Sequence, residues 1–205
     1  MRFQQIHDWI ETHKPETILE TGTWNAQNAV RMLKQGAKSY IGFDLWEDGD
    51  EVLDECENNV KKRVTFLEAQ TVLRDFTAEL IKGNTRETLP YYVTGKKPFV
   101  DMALIDGGHS KGTIKNDLLK ILEIMKPSGV IFIDDYYFGC TDAGIGAQSL
   151  MGEIQLPYTV LPKADKTKGG YLVKLVQINM NEVPRPNAWE VPEAQAWKFA
   201  PGEAA

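Results

Sequence analysis

Phe99-Val100-Asp101-Met102-Ala103-Leu104-Ile105 runs directly into Asp106-Gly107-Gly108-His109-Ser110. An apolar run that stops at an acid and two glycines reads as a buried strand ending in a tight turn. The pattern recurs at Gly129-Val130-Ile131-Phe132-Ile133, which ends in Asp134-Asp135. Between the two, Ile114, Leu118, Ile121, Leu122 and Met125 form a helical stripe, with Ser110 placed to cap its start and Pro127-Ser128-Gly129 to stop it. A strand-helix-strand crossover therefore brings Asp106, Asp134 and Asp135 to one edge of one sheet. Open α/β sheets bind their ligands at that edge. Carboxylates so close must share protons or hold a hard divalent cation.

Upstream, the same alternation continues. Phe3, Ile6 and Ile10 recur at helical spacing before Pro15, and Thr17 to Glu20 reads as a short strand. Thr21-Gly22-Thr23 turns the chain into a helix over 25–35 with Gly36 as its stop, and Ser39 to Phe43 is the next strand, ending at Asp44. Such β-α-β crossovers are right-handed in nearly all cases. Glu47 to Glu51 reads as an acidic turn and helix start, followed by a stripe at Val52, Leu53, Cys56 and Val60, and a second helix is expected over Val64 to Phe76. Thr77 to Lys82 is the third strand, with Asn84 or Thr85 capping a helical turn through Leu89. Downstream, Thr141 to Met151 reads as a helix. Strands around Tyr158 to Leu161 and Tyr171 to Ile178 are joined by a long connection, Pro162 to Gly170, so the sheet should end antiparallel. Residues 1–180 read as one domain. Residues 181–205 form a tail with four prolines and with Trp189, Trp197 and Phe199; it reads either as a loosely ordered tail or, since these large apolar groups are unusual in water, as a segment packed on the protein's own body or on a second subunit.

The bulk numbers narrow the function. A net charge of −6 and a pI near 5.2 argue against nucleic acid as a partner, because phosphate binding needs a basic face. The triplet Lys61-Lys62-Arg63 is too short to reverse that balance and reads as a solvated helix end. The two cysteines, Cys56 and Cys140, have no paired spacing, and no stretch reaches the roughly 20 apolar residues of a membrane span. The expectation is a cytoplasmic protein with no membrane partner.

Three features around the first strand carry chemistry. Gly22 permits a tight turn and close approach of a ligand to the backbone. The helix after it points N–H groups at the same place, and Glu20 can hold a ligand's ammonium. Asp44, 24 residues after Glu20, stands where an acid accepts hydrogen bonds from ribose hydroxyls. The turn lacks G-x-G-x-x-G, and no GxxxxGK[ST] occurs. One glycine plus an acid suits a small cofactor with a cationic amino-acid end better than a pyrophosphate. Each of these features is also explained by a plain turn, a helix cap or loop packing.

Together, Glu20-Thr21-Gly22-Thr23-Trp24-Asn25-Ala26 and Asp44 resemble the first motif and the second-strand acid of class I S-adenosylmethionine-dependent methyltransferases. Asp106 to His109 and Asp134-Asp135 are similar to the strand-four and strand-five motifs of one branch, the metal-dependent macrocin O-methyltransferase and cephalosporin-hydroxylase-like group. The resemblance spans roughly residues 17–178 and departs at Ala26, where the pattern has a glycine. It implies a doubly wound α/β fold, a seven-stranded mostly parallel sheet with an antiparallel last strand. It further implies a cofactor set of Glu20, Gly22, Thr23, Trp24, Asp44, Asn84, Thr85 and Asp106. Asp106, Asp134 and Asp135 would hold Mg²⁺ or a similar ion. The implied reaction is methylation of a hydroxyl on a small-molecule acceptor. Asp106 is one candidate base. His109 is the other, since imidazole changes charge near neutrality. Trp46 would stack on adenine or seal the strand end, and Tyr136, Tyr137, Phe138 and Cys140 would line the acceptor pocket. Two other readings stand beside this one: a nicotinamide-dependent oxidoreductase, which the absent glycine motif disfavours, and a non-catalytic module that binds a cofactor or a partner.

Overall fold

The computed structural model describes residues 1–47, 64–167 and 170–184. Seven strands form one sheet: β1 (Thr17–Thr21), β2 (Ser39–Asp44), β3 (Ala78–Lys82), β4 (Val100–Ile105), β5 (Met125–Phe138), β6 (Thr159–Lys166) and β7 (Leu172–Asn179). Their order is β3-β2-β1-β4-β5-β7-β6. The pairs among β1 to β5 are parallel, while β7 runs antiparallel to both β5 and β6. The expected doubly wound sheet is present, with β7 as its antiparallel member.

Side-chain alternation along the strands sorts the core into two layers. Leu19, Phe43, Ala103, Ile105, Ile131 and Ile133 face α4 (Thr85–Val93), α5 (Lys111–Ile124) and α6 (Gly146–Met151). Ile18, Tyr40, Met102, Leu104 and Phe132 face α1 (Gln4–His13), α2 (Gln27–Lys34) and α3 (Phe66–Leu73). Each fully buried Leu, Ile or Phe contributes about 1.5–3 kcal/mol, so both faces are firmly covered. Chain order reverses between β1 and β4, and that crevice is where such sheets bind ligands. The register puts Thr21, Phe43, Ile105 and Ile133 level across four strands. Gly22, Asp44, Asp106 and Asp134 therefore each stand one residue past the same edge.

Several bounds differ from expectation. The helix predicted over 25–35 spans only Gln27–Lys34, and the one predicted over 141–151 only Gly146–Met151. α4 continues past Pro90 to Val93, because burying Leu89 and Val93 outweighs one missing backbone hydrogen bond. Residues 162–166, expected in a connection, belong to β6. An edge strand tolerates Pro162, and the register shifts there, between Val160 and Ala164. Tyr136 to Phe138, expected as loop, extend β5 along β7, because the pairing resumes after a register shift at Asp134-Asp135. Among the described residues no helix is long and apolar enough to cross a membrane. The stripe at Val52 to Val60, the 61–63 triplet and the aromatic part of the tail lie outside the described residues.

Candidate active site

The β1–α2 turn is built by crowding. Gly22 has φ +90°, and a Cβ there would lie 2.0 Å from the Asp106 carbonyl oxygen. The residue is glycine because the turns after β1 and β4 touch. Gly22 N and Thr23 N donate to Phe43 O at 2.8 and 3.2 Å, and Asp106 N donates to Thr21 O at 2.9 Å, so both turns are laced into the sheet. Ala26, where the resemblance has glycine, is buried and adopts φ +58°. The backbone keeps the left-handed conformation that favours glycine, and the methyl group is accommodated within the core.

Asp44 accepts from Trp24 N at 2.6 Å and from Trp46 N at 3.0 Å, while Trp46 Nε1 donates to Trp24 O at 2.9 Å. One carboxylate thus welds the turns after β1 and β2 together. Trp46 is buried edge-on against Phe66, with ring centroids 4.9 Å apart, and seals the end of β2. Glu20 is 1% exposed. It accepts from Asn28 Nδ2 at 2.8 Å and from the Tyr40 hydroxyl, which also bonds Thr23 Oγ1 at 2.9 Å. Burial pushes the Glu20 carboxyl up to about 7, despite the two donors that oppose the shift. Each oxygen of Glu20 and Asp44 keeps acceptor capacity beyond these bonds.

Asn84 caps α4, its side chain accepting from Arg86 N at 3.0 Å, and Thr85 O accepts from Asn116 Nδ2 at 3.3 Å. Beneath them lies Asp117, a buried carboxylate on α5 that the sequence reading missed, because its spacing is that of an ordinary helical residue. Burial lifts it to about 6. Its Oδ1 accepts from Asn116 Nδ2 at 3.1 Å, while its Oδ2 and the buried Thr21 Oγ1 have no partner of good geometry among the described residues.

On the other side of the crevice, Asp106, Asp134 and Asp135 each offer an oxygen within 4.8 Å of the others. Burial, then the charges of Asp134 and Asp135, hold Asp106 well above the ordinary carboxyl range, and it hydrogen-bonds Asp134. Asp135 is shifted upward too, by burial first and by Asp134 second. Asp135 sits at φ +59°, an unusual conformation for a non-glycine residue and one that clusters at functional sites. Its Oδ2 lies 3.0 Å from His109 Nε2 and its Oδ1 accepts from the Tyr137 hydroxyl at 3.0 Å. Gly146 N donates to His109 O at 2.8 Å, and a Cβ on Gly146 would lie 2.6 Å from Asp135 O, so the start of α6 clamps this pair. Three carboxylate oxygens this close together could hold one small hard cation. The sequence reading also missed Arg2, whose Nε and Nη2 donate to Asp134 Oδ1 and Oδ2, each at 2.6 Å.

Glu20, Gly22, Thr23, Trp24 and Asp44 thus gather on one side of the β1/β4 crevice. Asp106, His109, Asp134 and Asp135 gather on the other, and Asn84 and Thr85 stand past β3. Comparisons with solved structures agree on the fold. An O-methyltransferase from Streptomyces achromogenes, TomG, involved in tomaymycin synthesis and solved with S-adenosylmethionine, superposes with a TM-score of 0.59 at 16% identity, over 86% of this chain and 78% of that one. An O-methyltransferase from Bacillus cereus, solved with S-adenosylhomocysteine, gives 0.60 at 14% identity over 86% and 79%. An rRNA methylase from Streptococcus thermophilus gives 0.57 at 16% identity over 87% and 96%. No curated protein matches the chain. The family described as "Methyltransferase domain" matches residues 19–136, more than half of the 205. That stretch contains the Glu20-to-Asp44 turn assembly and the whole Asp106, His109, Asp134, Asp135 cluster, and the chain belongs to this methyltransferase family.

Proposed function

We propose that the protein transfers a methyl group from S-adenosylmethionine to a hydroxyl of a small molecule, with His109 taking the proton. The observation that carries this reading is the placement of two unlike half-sites across one crevice. One side offers acceptors for an ammonium and a ribose at Glu20 and Asp44. The other offers a histidine held by a carboxylate. The cofactors in the Streptomyces and Bacillus structures support the choice of donor. In such a transfer, a bond forms from the acceptor oxygen to the methyl carbon as the carbon–sulfur bond breaks, and the hydroxyl proton must leave. We prefer His109 to Asp106 as the base, because the Asp106 carboxyl is engaged with Asp134 inside the acidic cluster. With Nε2–H donated to Asp135, the lone pair of His109 lies on Nδ1, which becomes the basic atom. Asp135 orients the ring and Tyr137 orients Asp135. Positioning across the crevice supplies much of the remaining rate, at about 7–11 kcal/mol for well-aligned reactants.

A divalent cation on Asp106, Asp134 and Asp135 would lower the pKa of the acceptor hydroxyl. The acidic balance favours a small acceptor over RNA, whatever the substrate of the Streptococcus neighbour, and the cysteine usage favours a cytoplasmic setting. Calorimetric titration with S-adenosylmethionine and with NAD, followed by product S-adenosylhomocysteine measurement over a panel of phenols, catechols and sugars, tests the reading. Binding of S-adenosylmethionine and turnover on a hydroxyl acceptor are expected. Binding of NAD alone would sink it.

A further inference from the structure

Arg2 has no part in the reaction described above, yet it holds the most buried acid of the cluster. Its fork meets both oxygens of Asp134, which is 1% exposed, and its Nη1 and backbone N reach Asp165 Oδ2 on β6, each at 3.2 Å. A planar guanidinium paired two-to-two with a carboxylate is the strongest form of such a contact. Any divalent ion on this cluster would draw on Asp134, and the Arg2 charge held 2.6 Å from both its oxygens competes for that carboxylate and repels a second cation. We propose that Arg2 is the resident cation of the Asp106–Asp134–Asp135 cluster. A divalent ion must compete with that guanidinium for Asp134, so Arg2 limits metal occupancy.

The architecture permits the exchange. α1 begins at Gln4 and is anchored by Ile6 and Ile10, both fully buried, while Phe3 packs on the same core and Arg2 O accepts from Gln5 N, so the exchange is a rotation of the long Arg2 side chain with its backbone held in place. On its β6 side, the segment is held by polar contacts. Asp165 takes Arg2, Gln5 exchanges hydrogen bonds with the Lys163 backbone at 3.0 and 3.4 Å, and Lys163 Nζ meets Asp8 at 3.3 Å. The exposed contacts of Gln5 and Lys163 are individually weak, and the Arg2–Asp165 pair is only partly buried. The inference rests on the three carboxylates as a metal-capable set and is independent of methyl transfer.

Mn²⁺ alone, titrated into the full chain at one neutral pH with free ion followed by electron paramagnetic resonance, tests it. Arg2→Gln should bind one Mn²⁺ at least about tenfold tighter than wild type, the low end of what freeing a desolvated charge partner is worth. Arg2→Lys, which keeps the charge but loses the fork, should fall between them. Asp165→Asn leaves the cluster intact and loosens Arg2 from outside, and should tighten Mn²⁺ binding about two- to threefold. It keeps the test decisive if Arg2→Gln folds poorly. Adding Asp134→Asn to Arg2→Gln should abolish the gain. Equal Mn²⁺ affinity in wild type, Arg2→Gln and Asp165→Asn would overturn the proposal, as would a gain that survives Asp134→Asn. No methyl acceptor enters the assay, so failure of the methyl-transfer reading would leave these outcomes intact.

Discussion

Replacing Glu20 by glutamine should make the protein's stability less dependent on pH, and the size of the effect follows from the burial of one carboxyl. Glu20 is enclosed by Tyr40 and Asn28, and its folded-state value rises from an ordinary 4.5 to about 7. A carboxyl with a raised folded pKa binds more protons in the folded than in the unfolded state between those two values. Its stabilising contribution is complete below about pH 4.5 and is lost as pH rises through 7. At about 1.4 kcal/mol per pH unit, the loss amounts to about 3 kcal/mol. Glutamine resembles the protonated acid and has no charge to bury. The stability of Glu20→Gln minus that of wild type, measured by urea unfolding, should therefore grow by about 3 kcal/mol from pH 4.5 to 7.5. Taking the difference cancels the other raised carboxyls, Asp106, Asp117 and Asp135, to the extent that they titrate independently. A difference that stays flat across the window, or shrinks, would refute the reasoning.

Other substitutions separate packing from chemistry. Gly22→Ala should cost about 3 kcal/mol or more in urea unfolding, since its Cβ would strike the Asp106 backbone at 2.0 Å in a left-handed turn; Ala26→Gly, at φ +58°, should stay within about 1 kcal/mol of wild type. His109→Asn should lower kcat for methyl transfer about 100-fold or more with donor affinity retained, whereas an unchanged kcat would remove His109 from the mechanism. Tyr137→Phe removes one bond to Asp135, and a fall in kcat of about tenfold at constant donor affinity is expected. Thr65→Ala breaks the reciprocal cap with Glu68 at the start of α3 and should cost about 1 kcal/mol by the same unfolding assay.

The parts of the fold legible in the sequence were those written in local pattern. β1, β2, β4 and the core of β5 are apolar runs that end in an acid or a glycine turn, and parallel strands buried on both faces read that way. The ends of β5 and β6 were hidden for opposite reasons. A left-handed Asp135 shifts the register, so Tyr136 to Phe138 look detached from the strand they continue. Pro162 looks like a breaker, and only its place on the sheet edge makes it harmless. Of the site, the acids at strand ends could be found because chain direction places them. Their partners could not. Arg2 meets Asp134 across 132 positions, Tyr40 meets Glu20 only once β2 pairs with β1, and Asn28 only once α2 lies on the sheet. Such contacts leave no periodic trace.

The lacing of Asp44 to the backbone at Trp24 and Trp46 gives the two halves of the crevice different histories during synthesis. The Glu20-to-Asp44 half is complete once β4 lies beside β1, because the Gly22 turn packs on Asp106, so it can assemble before β5 to β7 are made. The Arg2 contacts join position 2 to positions 134 and 165. The guanidinium can therefore meet Asp134 only after β5 has been made, and Asp165 only after β6. Closing a loop of that length costs entropy that only the finished sheet can offset. A chain stalled before residue 134 would carry a formed donor-side turn and an Arg2 with no acid to meet, and limited proteolysis of such truncated chains would find the N-terminal segment exposed.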